Sequence, residues 1–221
     1  MNGSLKHTSH IAMPWVLGLY ALAGGTFVIA AVMAGWYGGA ESPPLLMPFV
    51  AVFGGLAQLL AGMWAYAADD ALATAMLGTW GSFYMGYGLL TTLFASGKLT
   101  EPAGAFPELA FWFIAVAAIT WIGTVAASRR SWALVWIFGL FAIASTIAAI
   151  AAGFGIRGLS ILSGWVFVIG SIVAWYSASA LLLNETFERE VLPVGLSIEP
   201  TMGPRSVGGQ AAEGTAARRV S

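Results

Sequence analysis

Cysteine is absent from this 221-residue chain, histidine occurs only twice, and charged residues make up only 9% of the sequence. The lack of cysteine excludes disulfides, thiolate metal sites and cysteine nucleophiles. Both histidines precede residue 11, which excludes a haem held by two histidines within the fold. The formal net charge of −1 argues against a nucleic-acid partner, because such a partner needs a basic face. We therefore expect no metal, no cofactor and no nucleic acid.

What the chain has instead is apolar residues, at 59% of the sequence. Soluble domains are roughly 45–50% apolar and about 25% charged. A globule of this size leaves much of its surface exposed and could not hide so much apolar area. The composition predicts a protein whose partner is the lipid bilayer.

The scarce charges divide the chain into six uncharged intervals of 20 to 30 residues. A helix needs about 20 apolar residues to cross the hydrocarbon core, so each interval fits one crossing. Backbone groups in lipid must be paired within their own segment, which favours helices. The predicted spans are Trp15–Tyr37, Leu45–Ala68, Ala71–Phe94, Leu109–Ala127, Trp132–Ala152 and Leu159–Leu183.

An even number of crossings places both termini on one side of the membrane. Most of the basic residues fall on that side, including Arg129, Arg130 and Arg189, whereas the other side has only Lys98 and Arg157. The positive-inside rule then predicts cytoplasmic termini of a multi-pass protein of the cell membrane. The expected organisation is an N-terminal cytoplasmic segment (1–13), a transmembrane domain (14–195) and a disordered cytoplasmic tail (196–221) that is too poor in apolar residues to fold.

Tryptophan recurs close to the predicted span ends, at Trp15, Trp36, Trp64, Trp112 and Trp132. An indole ring in such a position favours the membrane interface.

Ionisable residues are missing from the centres of all six predicted spans. Proton relays and ion-coupled sites in membranes usually contain such residues, and an intramembrane hydrolase would need an acid–base pair. The sequence therefore predicts a conduit or a scaffold and not an enzyme. Asp69 and Asp70 stand between the second and third spans and are expected to form a solvated turn.

The polar groups inside the spans are neutral. In the third span Gly78, Ser82 and Met85 share one helical face, and in the second span Gln58 lies between Gly55 and Gly62. A primary amide at mid-membrane needs partners or water. Both features fit a polar passage, and both also fit ordinary helix packing through small residues and hydroxyls.

Three segments resemble the motifs of one known family, the acetate uptake transporters, which include bacterial succinate–acetate permeases. Residues 54–62 resemble G-G-x-A-Q-x-x-A-G, residues 79–84 resemble S-Y-G-S-F-W, and residues 184–195 resemble N-E-x-F…L-P-x-G. Residues 13–19 retain part of a fourth motif, N-P-A-P-L-G-L, without its asparagine and second proline. The residues that match are Pro14, Leu17, Gly18, Leu19, Gly54, Gly55, Gly62, Gly81, Asn184 and Glu185.

This resemblance implies an all-α integral membrane protein with six transmembrane helices around a central pore in each protomer, and a homohexamer of such protomers. It also implies a hydrophobic constriction built by the first, third and fifth spans. By position, its candidates are Leu22, Trp80, Phe138 and Leu140. The polar residues that we expect along the substrate path are Gln58, Thr26, Thr79, Ser82 and Tyr84.

The implied cargo is a small carboxylic acid such as acetate, with succinate as a further candidate. Because a carboxylate in hydrocarbon has a large desolvation penalty and the predicted passage has no fixed cation, a neutral or transiently protonated acid is favoured. We expect a two-carbon acid to be preferred over a four-carbon diacid. Two alternatives remain open, a channel for a neutral solute such as urea or ammonia and a membrane scaffold that transports nothing.

Overall fold

The computed structural model describes residues 12–38 and 42–193, and all of the regular elements in these ranges are helices. They are α1 (Pro14–Met33), α2 (Ser42–Phe49), α3 (Gln58–Ala67), α4 (Ala71–Ala95), α5 (Pro107–Ala127), α6 (Trp132–Phe154) and α7 (Arg157–Phe187). A π-helical segment, Val50–Ala57, joins α2 to α3, so that these three run as one continuous helix. The predicted disordered tail and most of the predicted N-terminal segment lie outside the described residues.

Within residues 12–38 and 42–193, five helical stretches are long and apolar enough to cross a membrane: Pro14–Met33, Leu45–Ala67, Pro107–Ala127, Trp132–Phe154 and Arg157–Phe187. Helix α4 has 25 residues and is long enough as well, but its glycine, threonine, serine and tyrosine residues lower its mean hydropathy. The predicted all-α architecture is confirmed, and a sixth crossing by α4 stays a prediction.

The helices begin and end at residues with recognisable local chemistry. Pro14 and Pro107 occupy the first positions of α1 and α5, where a missing N–H has no consequence. The Asp70 carboxylate accepts a hydrogen bond of 3.0 Å from the Ala73 amide and caps α4. Gly155, with φ of +66°, ends α6 in the left-handed conformation that glycine adopts without strain.

Most predicted span ends lie within two residues of the helix ends, but two C-terminal ends differ by four residues. The first span was expected to reach Tyr37, but α1 ends at Met33 because Gly35 turns the chain with φ of +77°. The last was expected to end at Leu183, but α7 continues to Phe187. Polar residues such as Asn184 and Glu185 extend a helix readily once it has left an apolar environment, so hydropathy alone sets its end too early.

Close backbone contacts position the helix containing Gln58 between α1 and α4. A methyl group added at Gly54 would lie 3.0 Å from Cα of Gly25, and one added at Gly81 would lie 2.6 Å from the backbone nitrogen of Leu59. Two helix backbones can approach this closely only where the residue at the contact is glycine, because any side chain there would clash with the neighbouring helix. The family-motif glycines Gly54 and Gly81 therefore act as packing residues.

Candidate functional site

A cavity of about 200 Å³ lies inside the bundle, between α1, α4, α5, α6 and α7. Its lining reaches Met33 at the end of α1 and Ser160 in the first turn of α7. These residues lie at the end of the bundle opposite the one where α1 begins and α7 ends. We call the end where α1 begins and α7 ends the terminal end. The cavity lies toward the opposite end of the bundle. Its lining includes Thr26, Ala30, Trp80, Phe83, Tyr84, Phe113, Ala148 and Phe167.

An aromatic cluster around Trp80 narrows the interior at one side of this cavity. The Trp80 ring is only 1% exposed and meets the Phe141 ring edge-on, with the ring centroids 5.0 Å apart. It meets Phe167 in a similar way at 6.0 Å, and Phe141 and Phe167 contact each other at 5.5 Å. Edge-to-face packing of this kind is favourable for aromatic pairs. The three rings from α4, α6 and α7 leave little free space between them.

Two hydroxyl groups form a polar pair in the cavity wall. Thr26 Oγ1 donates a hydrogen bond of 2.5 Å to the carbonyl of Leu22 and is also hydrogen-bonded to the hydroxyl of Tyr84. Since the threonine proton is directed to the carbonyl, the tyrosine donates to the threonine. Both hydroxyl protons are thereby used. The pair can offer lone pairs to a ligand in the cavity but has no free proton to donate.

Three buried polar atoms have no hydrogen-bond partner among the described residues: Trp80 Nε1 and both side-chain atoms of the Gln58 amide, Nε2 and Oε1. Gln58 is fully buried and lies one turn from Gly54, which contacts α1, and one turn from Gly62, which contacts α4. Leu59, its neighbour, touches Gly81, so Gln58 lies at the depth of Trp80. Buried amides in native proteins are nearly always bonded to protein, water or ligand.

The constriction residues expected from the sequence lie at different places around this site. Leu22 is fully buried on α1, one turn from Thr26. Phe138 is also fully buried, but its ring contacts Trp15 at a centroid distance of 6.2 Å, closer to the terminal end than Trp80. Leu140 is half-buried near Gly170 of α7.

The residue of the fifth span that contacts Trp80 is Phe141, which sequence reasoning did not single out. The motif resemblance gives no fixed register for that span, so it could not separate Phe138, Leu140 and Phe141. The helical period does contain a signal, because Phe138, Phe141, Ser145 and Ala148 form one stripe, and Ala148 lines the cavity.

The remaining polar candidates divide between the cavity and the outer surface. Thr26 and Tyr84 line the cavity. Thr79 is half-buried and outside the cavity lining, and Ser82 is exposed on the outer face of α4 together with Met85. The stripe of Gly78, Ser82 and Met85 thus faces away from the cavity in the protomer.

Asn184 binds the segment that follows α7 and does not line the cavity. Its Oδ1 accepts hydrogen bonds from the amides of Val191 at 2.7 Å and Leu192 at 3.0 Å, and its Nδ2 donates to the carbonyl of Leu192 at 2.9 Å. The amide folds the segment after α7 back onto that helix. The neighbouring Glu185 is exposed.

The acidic turn before α4 differs from the expectation at one of its two residues. Asp69 is exposed, with φ of +57°, as expected of a solvated turn. For Asp70 that expectation is wrong, because the residue is 8% exposed and its carboxylate accepts from the indole of Trp15 at 2.8 Å and from Arg130 at 2.6 Å. A carboxylate with three protein donors has little need of water.

Comparisons with known proteins agree with the motif resemblance. The chain is 24% identical to the succinate-acetate/proton symporter SatP of Escherichia coli (strain K12) over 189 residues, 85% of this chain and 97% of the relative. It is 26% identical to the ammonia transport outward protein 2 of Saccharomyces cerevisiae over 172 residues, 76% of this chain but only 61% of that protein. Its similarity to the ammonia transport outward protein 3 of the same yeast is 23% and spans 63% of that protein.

The fold matches a solved structure, that of the bacterial acetate channel SatP, with a TM-score of 0.76 over 84% of this chain and 99% of the other, at 22% sequence identity. The relatives and the solved structure are named as transporters or channels, and the long apolar helices of this chain indicate a multi-pass membrane protein. The model of the GPR1/FUN34/yaaH family matches residues 2–194, nearly the whole chain. The chain therefore belongs to the GPR1/FUN34/yaaH family.

Proposed function

We propose that this protein conducts short monocarboxylic acids such as acetate across the cell membrane, through a passage between six crossing helices that include α4. It has no enzymatic role. The bacterial proteins named for acetate are matched by this chain over nearly their whole length. That support is strengthened by a chemical feature of this chain, namely the unpaired indole N–H of Trp80, a residue that lines the internal cavity.

The observation that carries the proposal is the set of polar atoms at the cavity. Trp80 lines the cavity and its Nε1 lacks a protein partner in the described structure, so its N–H is free to donate to the carbonyl oxygen of a cargo. The Thr26–Tyr84 pair can only accept. A donor beside an acceptor complements an undissociated carboxyl group, whose C=O accepts and whose O–H donates. A carboxylate anion would find only one side of this pattern favourable.

The dimensions and polarity of the site favour a short acid. The cavity of about 200 Å³ is lined mainly by aromatic and aliphatic side chains, which make favourable contacts with a methyl group. A four-carbon diacid would place a second carboxyl group against that apolar wall, and burial of an unpaired polar group costs free energy. Acetate should therefore be preferred over succinate.

The same proposal covers the assembly and orientation. The family resemblance implies six protomers in a ring, and the distribution of basic residues places both termini in the cytoplasm. The exposed apolar side chains on the outer helix faces, such as Phe111, Ile122 and Trp136, support contact with lipid or with neighbouring protomers.

The test is uptake of labelled acetate into proteoliposomes that contain the purified protein, with protein-free liposomes as the blank. We expect uptake well above the blank for acetate and slower uptake for succinate at the same concentration. Faster entry of succinate would contradict the preference for a short acid. Absence of any flux would favour the scaffold interpretation instead.

The role of Trp80 is tested by Trp80→Ala with Trp136→Ala as the matched control, since Trp136 is 64% exposed. Removal of the buried ring should widen the narrow point and raise the succinate-to-acetate uptake ratio. The control should leave that ratio unchanged. An unchanged ratio in both variants would argue against selection at Trp80.

A second candidate cargo is a small neutral solute such as ammonia. The yeast relatives named for ammonia favour it, and the Thr26–Tyr84 pair could accept an N–H as readily as an O–H. Stopped-flow measurement of internal pH after exposure to ammonium salts, in the same liposomes used for acetate, separates the two. Alkalinisation faster than the blank without acetate uptake would favour ammonia.

A further inference from the structure

Two helix faces that meet at the cavity continue to the terminal end of the bundle. On α1, Trp15 and Leu22 lie on the same face as Thr26, at the spacing i, i+7 and i+11. On α4, the face that includes Trp80 and Tyr84 leads back to Asp70 at the start of the helix. The proposed function requires a solute to pass along these faces to the terminal end, where buried side chains such as Leu19, Leu22 and Leu77 fill the interior.

At that end the Trp15 side chain of α1 reaches Phe138 of α6, although the two helices do not pack directly against each other. Its ring is 5% exposed and lies against Phe138, with the centroids 6.2 Å apart and the planes at 46°. The sequence placed Trp15 near the end of the first span, and at that end the structure buries its ring within the protein. A bulky ring thus covers the fully buried Phe138 from the terminal side.

The carboxylate of Asp70 holds the Trp15 ring in this position. Its Oδ2 accepts the indole N–H at 2.8 Å and the Arg130 guanidinium at 2.6 Å, while Oδ1 accepts the Ala73 amide at 3.0 Å. Asp70 is thereby fixed both to its own helix and to the turn before α6. The side chain of Arg130 is 31% exposed, so the ion pair lies at the rim and the indole bond lies inside it.

We propose that Trp15 forms a second selectivity point of the passage, at the terminal end, and that Asp70 and Arg130 are the positioning residues that keep it closed. Cargo leaves or enters at this end when the indole separates from Asp70. This inference rests on the proposed function, because closure limits flux only if solute passes through the bundle.

The absence of cysteine from the chain allows a direct test of closure. In a Leu19→Cys background, the thiol lies one turn of α1 inward from Trp15, and its rate of modification by a charged methanethiosulfonate in detergent solution reports access from the terminal end. Trp15→Phe keeps an aromatic ring but removes the N–H. Asp70→Asn keeps a helix cap but removes the ion pair.

We expect both variants to be modified about twofold to tenfold faster than the Leu19→Cys parent, the factor that corresponds to loss of one hydrogen bond. The matched controls are Asp69→Asn and Arg129→Gln, which change neighbouring exposed residues, and they should react at the parental rate. Rates in Trp15→Phe and Asp70→Asn equal to those of the controls would overturn the inference.

Uptake in liposomes supplies the selectivity readout and keeps the two proposals distinguishable. Trp15→Ala should raise the butyrate-to-acetate uptake ratio, whereas Arg129→Gln should not. A wild-type protein without acetate uptake would contradict the proposed function. Faster modification of the Leu19→Cys thiol in the Trp15→Phe variant would still support closure. Normal acetate uptake with an unchanged ratio in Trp15→Ala would overturn the role of Trp15 alone.

Discussion

At the scale of single residues, the unpaired amide of Gln58 is the feature least compatible with a purely structural protein. The side chain is fully buried and neither of its polar atoms has a partner in the part of the chain that the structure describes. An unsatisfied buried polar group costs about 1–3 kcal/mol. We propose that this amide donates to and accepts from a moving solute at a part of the passage outside the cavity lining.

Replacement of Gln58 by leucine should separate stability from transport. Leu removes the unpaired amide at similar size, so the thermal unfolding temperature in detergent should rise, while acetate uptake should fall because a polar contact of the path is lost. Gln58→Met serves as a second apolar variant. A fall in both the unfolding temperature and uptake would instead indicate that the amide has a structural partner.

Many residues of the candidate site could be predicted from the sequence. Those that could not be predicted depend on contacts between distant parts of the chain. Thr26, Gln58, Trp80 and Tyr84 are identifiable as neutral polar or amphipathic residues within apolar spans, and the structure places each of them in the interior. Asp70 could not be identified, because its burial depends on Trp15 and Arg130, which are 55 and 60 residues away. Long-range pairs of this kind leave no periodic signal.

At the scale of helices, glycine determines how the second crossing packs. Gly54 and Gly81 approach backbone atoms so closely that a methyl group would have to displace a neighbouring helix. The sequence indicated small residues in this region but left open whether they line a passage or pack. In the structure these glycines pack against neighbouring helices, and the stripe of Gly78, Ser82 and Met85 faces away from the cavity.

Gly81→Ala should destabilise the protein, and Gly86→Ala on the same helix should not. The added methyl at Gly81 would lie 2.6 Å from a backbone nitrogen of the adjacent helix, whereas the one at Gly86 meets nothing within 4 Å. Alanine at Gly86 should even stabilise α4, by up to about 1 kcal/mol, because it is the better helix former. Thermal unfolding of the two variants in detergent checks this, and equal unfolding temperatures would refute the contact.

At the scale of the whole molecule, charges lie at the ends of the bundle and neutral dipoles lie within it. Asp70 and Arg130 form an ion pair at the terminal end, and the described residues that line the cavity include no ionisable side chain other than tyrosine. Such an interior favours a cargo without net charge.

Uptake of acetate should therefore follow the concentration of the undissociated acid. As the external pH falls toward the pKa of the acid, the neutral fraction rises about tenfold per pH unit, and the rate should rise with it until the site saturates. Initial rates at constant total acetate, corrected for protein-free liposomes, measure this dependence. A rate that tracks the anion concentration instead would show that a carboxylate is carried.

Helix α4 is less apolar than the five stretches that are apolar enough to cross a membrane, and this bears on how the chain enters the membrane during synthesis. A segment with so many glycines and hydroxyls partitions weakly into lipid from the translocon. The turn at Asp69–Asp70 is so short that α4 must stay next to the helix that precedes it. We therefore expect these two helices to be released into the bilayer as a pair. In an insertion assay with glycosylation tags, α4 alone should integrate poorly, and a fragment of residues 42–97 should integrate efficiently.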